Sequence, residues 1–106
     1  MKFVSISRTK DIFYLLPAEE QMELTRGALH YVEKYRKQGK FTDVLIEPNL
    51  KQTISIVEAS SHEEATRMAM ENPLSRYQDI EFRPVVDFDE GLRVGLEIMG
   101  QMMAVR

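Results

Sequence analysis

Three charged side chains in the C-terminal third of the chain are the best candidates for acid–base chemistry. Asp79, Glu81 and Arg83 lie on or beside a predicted strand, where Glu81 and Arg83 fall on one face of the extended run. A carboxylate on a covered sheet face is a plausible general base, because burial raises its proton affinity. We therefore assign a catalytic role to these three residues. The structural alternative is that Glu81 and Arg83 simply pair as ions on the sheet.

Four tyrosines are the candidates for lining a ligand pocket. An aromatic ring with a polar tip offers apolar contact area together with one hydrogen bond. A pocket is expected between the sheet and the first helix, or at the mouth of a barrel. The alternative is that these side chains fill the edges of the core. The substrate-binding candidates are Tyr14, Tyr31, Tyr35 and Tyr77.

Metal and cofactor chemistry are not indicated by the sequence. The run His62-Glu63-Glu64 lacks the pair of histidines, four residues apart, that a zinc-binding helix supplies. Asp87, Asp89 and Glu90 match no calcium loop. There is no glycine-rich phosphate loop and no serine or cysteine nucleophile motif. We expect no metal and no cofactor.

Composition narrows the class of protein. The chain has 106 residues, which suits a single domain, and it contains no cysteine. A net charge of −3 argues against a nucleic-acid partner. No apolar run approaches the length of a membrane span, and the N-terminal residues lack the apolar core of a signal peptide. These features predict a cytoplasmic protein without nucleic-acid or membrane partners.

The hydrophobic periodicity predicts the element order β-α-β-β-α-β. Pro17 suits the first turn of a helix and Gly39 its end. Asn72-Pro73 stops the second helix, because the proline ring disfavours helical backbone in the residue before it. The predicted strands are residues 2–7, 41–47, 52–58 and 80–88, and the predicted helices are residues 17–38 and 60–71.

This order predicts a ferredoxin-like α+β domain over residues 1–88, with a four-stranded antiparallel sheet and both helices on one face. The strands carry apolar residues on both faces, which indicates that both faces are covered. A second copy of the sheet is the simplest cover for the face without helices. We therefore expect a homodimer or a higher homo-oligomer of the dimeric α/β-barrel type.

Residues 89–106 are predicted to add a C-terminal helix that contacts a partner subunit. Asp89 is the expected N-cap and the helix is expected to reach Val105. Its apolar arc is too wide to be buried against a single neighbouring element. The alternative is a helix that folds back on its own domain. The apolar arc consists of Leu92, Val94, Leu96, Ile98, Met99, Met102 and Met103.

The segment 8–17 is too apolar for an ordinary solvated loop. One interpretation is a loop, or a single helical turn, that tucks its side chains into the edge of the core. The other is an apolar lid over a pocket.

The stretch Pro73-Leu74, Tyr77 and Asp79-Ile80-Glu81, with Gly39 after the first helix, resembles the muconolactone isomerases. The resemblance implies a ferredoxin-like fold paired into dimeric α/β barrels and larger rings. It also implies a cofactor-free isomerisation by proton transfer, with acid and base midway along the first helix. Here that region is residues 27–30, where His30 is expected to face solvent.

Two functions are therefore compatible with the sequence. The first is a cofactor-free isomerase that moves a proton on a small ring compound. The second is a non-catalytic module that binds a small apolar or aromatic ligand, or serves in assembly. An ionisable side chain inside a closed pocket favours the enzyme, whereas a pocket lined by apolar and aromatic side chains favours binding.

Overall fold

The computed structural model describes residues 1–104. The strands are β1 (Lys2–Thr9), β2 (Phe41–Ile46), β3 (Gln52–Glu58) and β4 (Gln78–Val85), and the helices are α1 (Ala18–Lys37), α2 (His62–Met70) and α3 (Phe88–Ala104). Two short 3₁₀ helices, Asp11–Leu15 and Ser75–Tyr77, precede α1 and β4.

The four strands form one antiparallel sheet in the order β2-β3-β1-β4. The long strand β1 lies in the centre, where Ser5 is opposite Ser55 of β3 and Phe82 of β4. A bulge at Phe41/Asp43 shifts the register of β2 by one residue. The sequence prediction of a ferredoxin-like α+β fold is confirmed.

The core lies between α1, α2 and one face of the sheet, which we call the inner face. Phe3 and Val57 are the largest fully buried side chains, and Val57 is only 2% exposed. They pack with Ala65 and Met68 of α2, since α2 lies over this end of the sheet. Tyr31, Tyr35 and Phe41 form a cluster of rings with centroids 5.3 to 5.5 Å apart, which closes the core at the end of α1.

The helix ends follow the expected chemistry. Gly39 has a φ of 73°, the left-handed conformation that terminates α1. Ser61 caps α2, because its Oγ accepts a hydrogen bond of 3.1 Å from the backbone N–H of Glu64. The Glu64 carboxylate in turn accepts from Lys40 Nζ at 2.8 Å, which ties the start of α2 to the chain just before β2.

One close approach holds the middle of α1 against the turn after α2. A side-chain Cβ placed at Gly27 would lie 3.0 Å from Cγ of Pro73. That distance is shorter than ordinary van der Waals contact, so the absence of a side chain at residue 27 is what allows α1 to come so close.

The opposite face of the sheet, which we call the outer face, has no helix over it. Leu45 on this face is 67% exposed, and Ile54 and Ile56 are partly exposed. Charged side chains of both signs border these apolar residues. They are Lys2, Arg8, Glu58, Asp79, Glu81 and Arg83.

Helix α3 projects from the domain instead of folding back on it. Its long apolar side chains are exposed, including Leu96 at 68% and Met103 at 72%. The radius of gyration is 17.7 Å, against about 13 Å for a compact domain of this length. None of the helices in residues 1–104 is both long enough and apolar enough to cross a membrane.

The start of α3 differs from the prediction. The sequence predicts Phe88 in the last strand and Asp89 as the N-cap, but the helix already begins at Phe88. The backbone N–H of Gly91 donates to the carbonyl of Asp87 at 2.9 Å, so helical bonding starts two residues earlier than expected. Asp89 and Glu90 thus lie in the first turn, where acidic side chains favour the helix dipole. The predicted end at Val105 lies outside the described residues.

Candidate functional site

A cavity of about 850 Å³ lies between the inner face of the sheet and the helices. Residues from all four strands, α1, α2 and the first 3₁₀ helix line it. This volume lies within the usual range for pockets that hold small organic ligands.

The floor of the cavity carries small hydroxyl side chains where a filled core would carry large apolar ones. On β1 and β3, Ser5 is opposite Ser55 and Ser7 is opposite Thr53, and all four line the cavity. Ser5 is only 7% exposed. Because serine and threonine are much smaller than leucine or phenylalanine, the space between sheet and α1 stays open at this point.

The rim of the cavity carries long apolar side chains together with polar and charged ones. Met22 and Leu29 of α1 face Ile46 and Leu50 of the β2–β3 hairpin across the opening, and each is more than half exposed. Leu50 adopts a φ of 62°, an unusual conformation for a residue with a branched side chain. The turn is held by Asn49, whose Oδ1 accepts a hydrogen bond of 3.1 Å from the backbone N–H of Lys51.

Two of the four candidate tyrosines line the cavity. Tyr14 and Tyr31 do so, whereas Tyr35 and Tyr77 are not among its lining residues. The Tyr31 hydroxyl donates to the carbonyl of Met68, and burial raises its pKa, with Tyr35 and Glu71 adding to the effect. Tyr31 is therefore a neutral side chain with its proton already engaged, which makes it a poor acid or base.

Tyr35 and Tyr77 have structural surroundings. The Tyr35 hydroxyl donates to the Glu71 carboxylate, and burial together with that carboxylate raises the pKa of Tyr35 to about 12. The hydrogen bond from Tyr35 also lowers the pKa of Glu71. Tyr77 packs edge-on against Phe13 with the ring centroids 6.0 Å apart.

The three catalytic candidates lie on the outer face, on the opposite side of the sheet from the cavity. Arg83 donates to Glu81 at 2.8 Å, and this hydrogen bond raises the pKa of Arg83. Asp79 lies 3.7 Å from Lys10 Nζ. All three are exposed in the single chain, so their catalytic role stays a prediction for a form in which the outer face is covered.

The apolar segment before α1 combines features of both interpretations made from the sequence. It forms one 3₁₀ helix in which Phe13 is buried, as a turn that contributes to the core would require. Phe13 and its neighbour Tyr14 also line the cavity, so the segment walls it at one end.

No carboxylate and no histidine is found among the residues that line the cavity in the described chain. His30 is exposed on α1, as expected, and His62 lies edge-on against Phe3 at 5.7 Å between ring centroids. Within residues 1–104 no group of three or more histidine, aspartate or glutamate side chains could hold a metal ion.

Sequence reasoning missed the polar residues of the cavity floor. Ser5, Ser7 and Thr9 alternate along β1, and Thr53 and Ser55 alternate along β3, on the same faces as the buried Phe3 and Val57. A run of hydroxyl residues in core-facing positions is a signal for an open space, because such residues rarely fill a core. Gln78, at the start of β4, belongs to the same floor.

Comparison with known proteins supports the fold. Residues 1–98 match the model of a family described as a domain of unknown function, DUF3303. No curated protein matches the chain in sequence. The structure of a muconolactone isomerase is similar with a TM-score of 0.71 and 20% identity, over 82% of this chain and 90% of that one.

A second solved structure is 5-chloro-2-hydroxyhydroquinone dehydrochlorinase (TftG) from Burkholderia phenoliruptrix AC1100, in complex with 2,5-dihydroxybenzoquinone. It is similar with a TM-score of 0.57 and 16% identity, over 82% of this chain and 96% of that one. The predicted resemblance to the muconolactone isomerases is thus confirmed at the level of the fold.

Proposed function

The chain belongs to the DUF3303 family, and we propose that it binds a small ring compound in the cavity between the sheet and α1. The observation that carries this proposal is the cavity itself, with its volume of about 850 Å³ and its apolar walls. A domain of this size normally packs its core to native density, so an opening of this volume between sheet and helix points to a ligand and not to the core.

The walls favour a flat, largely apolar ligand. Phe13, Tyr14 and Tyr31 present aromatic rings, and Val44 and Leu29 present aliphatic surface. Each square ångström of apolar ligand surface removed from water here is favourable by roughly 25 cal/mol, before the cost of immobilising the ligand is subtracted. Binding without catalysis is the better account of this cavity, since its lining within residues 1–104 offers no carboxylate or histidine to move a proton.

The names of the similar structures agree with this ligand class. One is an isomerase of a lactone, and the other is solved with 2,5-dihydroxybenzoquinone. Both compounds are small rings, and both proteins share the fold that forms the cavity here.

The proposal is tested by titrating the ¹⁵N-labelled protein with naphthalene and with 2-naphthol while recording amide chemical shifts. We expect saturable shifts at residues that line the cavity. Ser55→Phe places a ring at the centre of the floor and should abolish the shifts. Ile54→Phe makes the same kind of change on the outer face of the same strand and should preserve them.

Two results would argue against the proposed function. One is a lack of saturable shifts with either compound. The other is a loss of binding that is equal for Ser55→Phe and Ile54→Phe, because the binding surface would then not be the cavity.

A second function, proton transfer by a cofactor-free isomerase, is favoured by the arrangement of the outer face. Glu81 and Arg83 form an ion pair of 2.8 Å beside the partly exposed Ile6, Ile54 and Ile56. A second copy of the sheet placed on this face would enclose these charges. The face is suited to its own copy because it carries charges of both signs around an apolar centre.

This second function is tested with muconolactone as substrate. A dimer that isomerises it, and that loses at least about 100-fold in kcat on Glu81→Gln, would support it. Glu58→Gln, on the same face, is the matched control. A dimer without activity would leave ligand binding in the cavity as the function.

A further inference from the structure

Building on the proposed function, we propose that the ligand enters the cavity polar end first and that Gln78 selects rings bearing a neutral hydrogen-bond donor. A phenol or a ring amide has this chemistry. The ligand class is thereby narrowed from any small ring to a hydroxylated or N–H-bearing one.

Gln78 carries an unsatisfied acceptor. Its Oε1 is the one buried side-chain polar atom in residues 1–104 without a hydrogen-bond partner. Leaving such an atom unpaired costs about 1–3 kcal/mol in proteins. Oε1 is covered in the ligand-free chain, so the Gln78 amide must turn towards the cavity to meet a ligand. A ligand O–H or N–H that bonds to it would then remove this cost, which gives the site a reason to prefer a donor.

The position of Gln78 places its amide beside the hydroxyl floor. It is opposite Thr9 across the β1–β4 ladder, at the end of the row that contains Ser5 and Ser7. Gln78 also lines a smaller cavity of about 430 Å³ on the side towards α2. The amide therefore lies where the two cavities meet.

The cavity has hydrogen-bonding groups on its floor and apolar side chains on part of its rim. Its floor carries hydroxyls and an amide beside apolar side chains, and its exposed rim carries Met22, Leu29 and Leu50 beside two arginines. A ligand that is polar at one end and apolar at the other satisfies both zones only with its polar end inside. This arrangement favours rings substituted at one end.

The charge around the cavity favours a neutral donor over a cation. The lining includes Arg26 and Arg36 of α1 and no carboxylate within the described residues. An ammonium group would therefore find no counter-ion and would be repelled by the guanidinium groups.

The experiment compares 2-naphthol and naphthalene, which differ by one hydroxyl, on wild type and on Gln78→Leu. Kd values come from amide chemical-shift titrations. Relative to naphthalene, we expect 2-naphthol to lose about fivefold to tenfold in affinity on Gln78→Leu, the effect of one hydrogen bond to a buried acceptor. Gln52→Leu, the same substitution on the outer face, should leave the ratio unchanged.

Thermal unfolding adds a second readout. Gln78→Leu removes the unpaired polar atom, so its Tm should equal or exceed that of the wild type. A fall in Tm would show that the amide is satisfied in solution and would overturn the inference.

The binding outcomes separate the two proposals. If both compounds bind but Gln78→Leu leaves the ratio of their Kd values unchanged, Gln78 is not the selecting residue. Ligand binding in the cavity is then still supported. If neither compound binds, the proposed function fails and the inference fails with it.

Discussion

The two faces of the sheet are built from the same strands but are covered in opposite ways. On β3, Val57 of the inner face is buried, whereas its neighbour Ile56 on the outer face is only partly so. Helices cover the inner face, yet a cavity remains open between them and the sheet. The outer face has no cover in the single chain.

The difference shows that apolar character alone does not tell which face of a strand is inside. The outer face carries Val4, Ile6, Ile54 and Ile56, whereas the inner face mixes Phe3 and Val57 with serines and threonines. The inner face is filled at one end and hollow in the middle. The outer face carries an apolar strip along β1 and β3 with charges of both signs around it, as expected for a surface that meets another protein.

The largest contrast should come from placing a charge on each face. Val57→Lys buries an ammonium group in the core without a counter-ion and should cost about 4–5 kcal/mol, enough to unfold a marginally stable domain. Ile56→Lys should keep the fold and weaken only self-association. Circular dichroism melting and sedimentation velocity measure the two effects. Equal melting curves for the two variants would mean that the faces are not distinct.

Truncation of a large side chain should give a smaller but parallel contrast. Phe3→Ala leaves a cavity in the packed end of the inner face and should cost about 3–5 kcal/mol in urea unfolding. Val4→Ala, one residue further, should cost about 1 kcal/mol or less in the monomer because its side chain is only partly covered. If Val4→Ala proved as costly as Phe3→Ala, the outer face would be buried in the unfolding species, which points to a dimer.

Removal of residues 88–106 should change assembly without unfolding the domain. The apolar side chains of α3 are exposed, and the ion pair between Lys2 and Asp87, at 3.2 Å, lies outside the deleted part. We expect light scattering to give fewer subunits per particle than for the full chain. We expect the Tm to stay within a few degrees of that of the full chain. An unchanged number of subunits would exclude α3 as an interface helix.

The smallest expected effect is a pH dependence of the stability of the fold, caused by Glu64 at the start of α2. The hydrogen bond from Lys40, supported by Ser60, lowers the pKa of Glu64 from its usual 4.5 to about 2. A lowered pKa stabilises the fold above pH 4.5, and the stabilisation is lost as the pH falls towards 2. Glu64→Gln should thus lower the Tm slightly at pH 7 and by less at pH 2.5. A difference that persists unchanged at pH 2.5 would contradict this assignment.

The fold was predictable because its signals are local. Pro17, Gly39 and Asn72-Pro73 mark chain reversals through backbone sterics, and the alternation on β1 and β3 separates the two faces correctly. The start of α3 was not predictable in this way. The run from Ile80 to Phe88 stays apolar on alternate residues, although the strand ends at Val85.

The cavity was harder to predict because it depends on what is missing from the core. All four tyrosines were proposed by chemical type alone, yet Tyr14 and Tyr31 line the cavity whereas Tyr35 and Tyr77 lie elsewhere. The serines and threonines of the floor carry no reactive motif. Their importance comes from their small volume and from the register that places Ser5 opposite Ser55, which only the paired strands reveal.

The contact between Gly27 and Pro73 also sets a mechanical dimension of the site. A Cβ at this position would lie 3.0 Å from Cγ of Pro73, so α1 is seated against a proline ring that would have to move by a few tenths of an ångström to accept a side chain. The contact at Gly27 thus sets the distance between α1 and the turn after α2. Each methyl group added at residue 27 would increase that distance. A graded series of side chains at this position would tune the clearance above the floor, and with it the thickness of the molecule that fits.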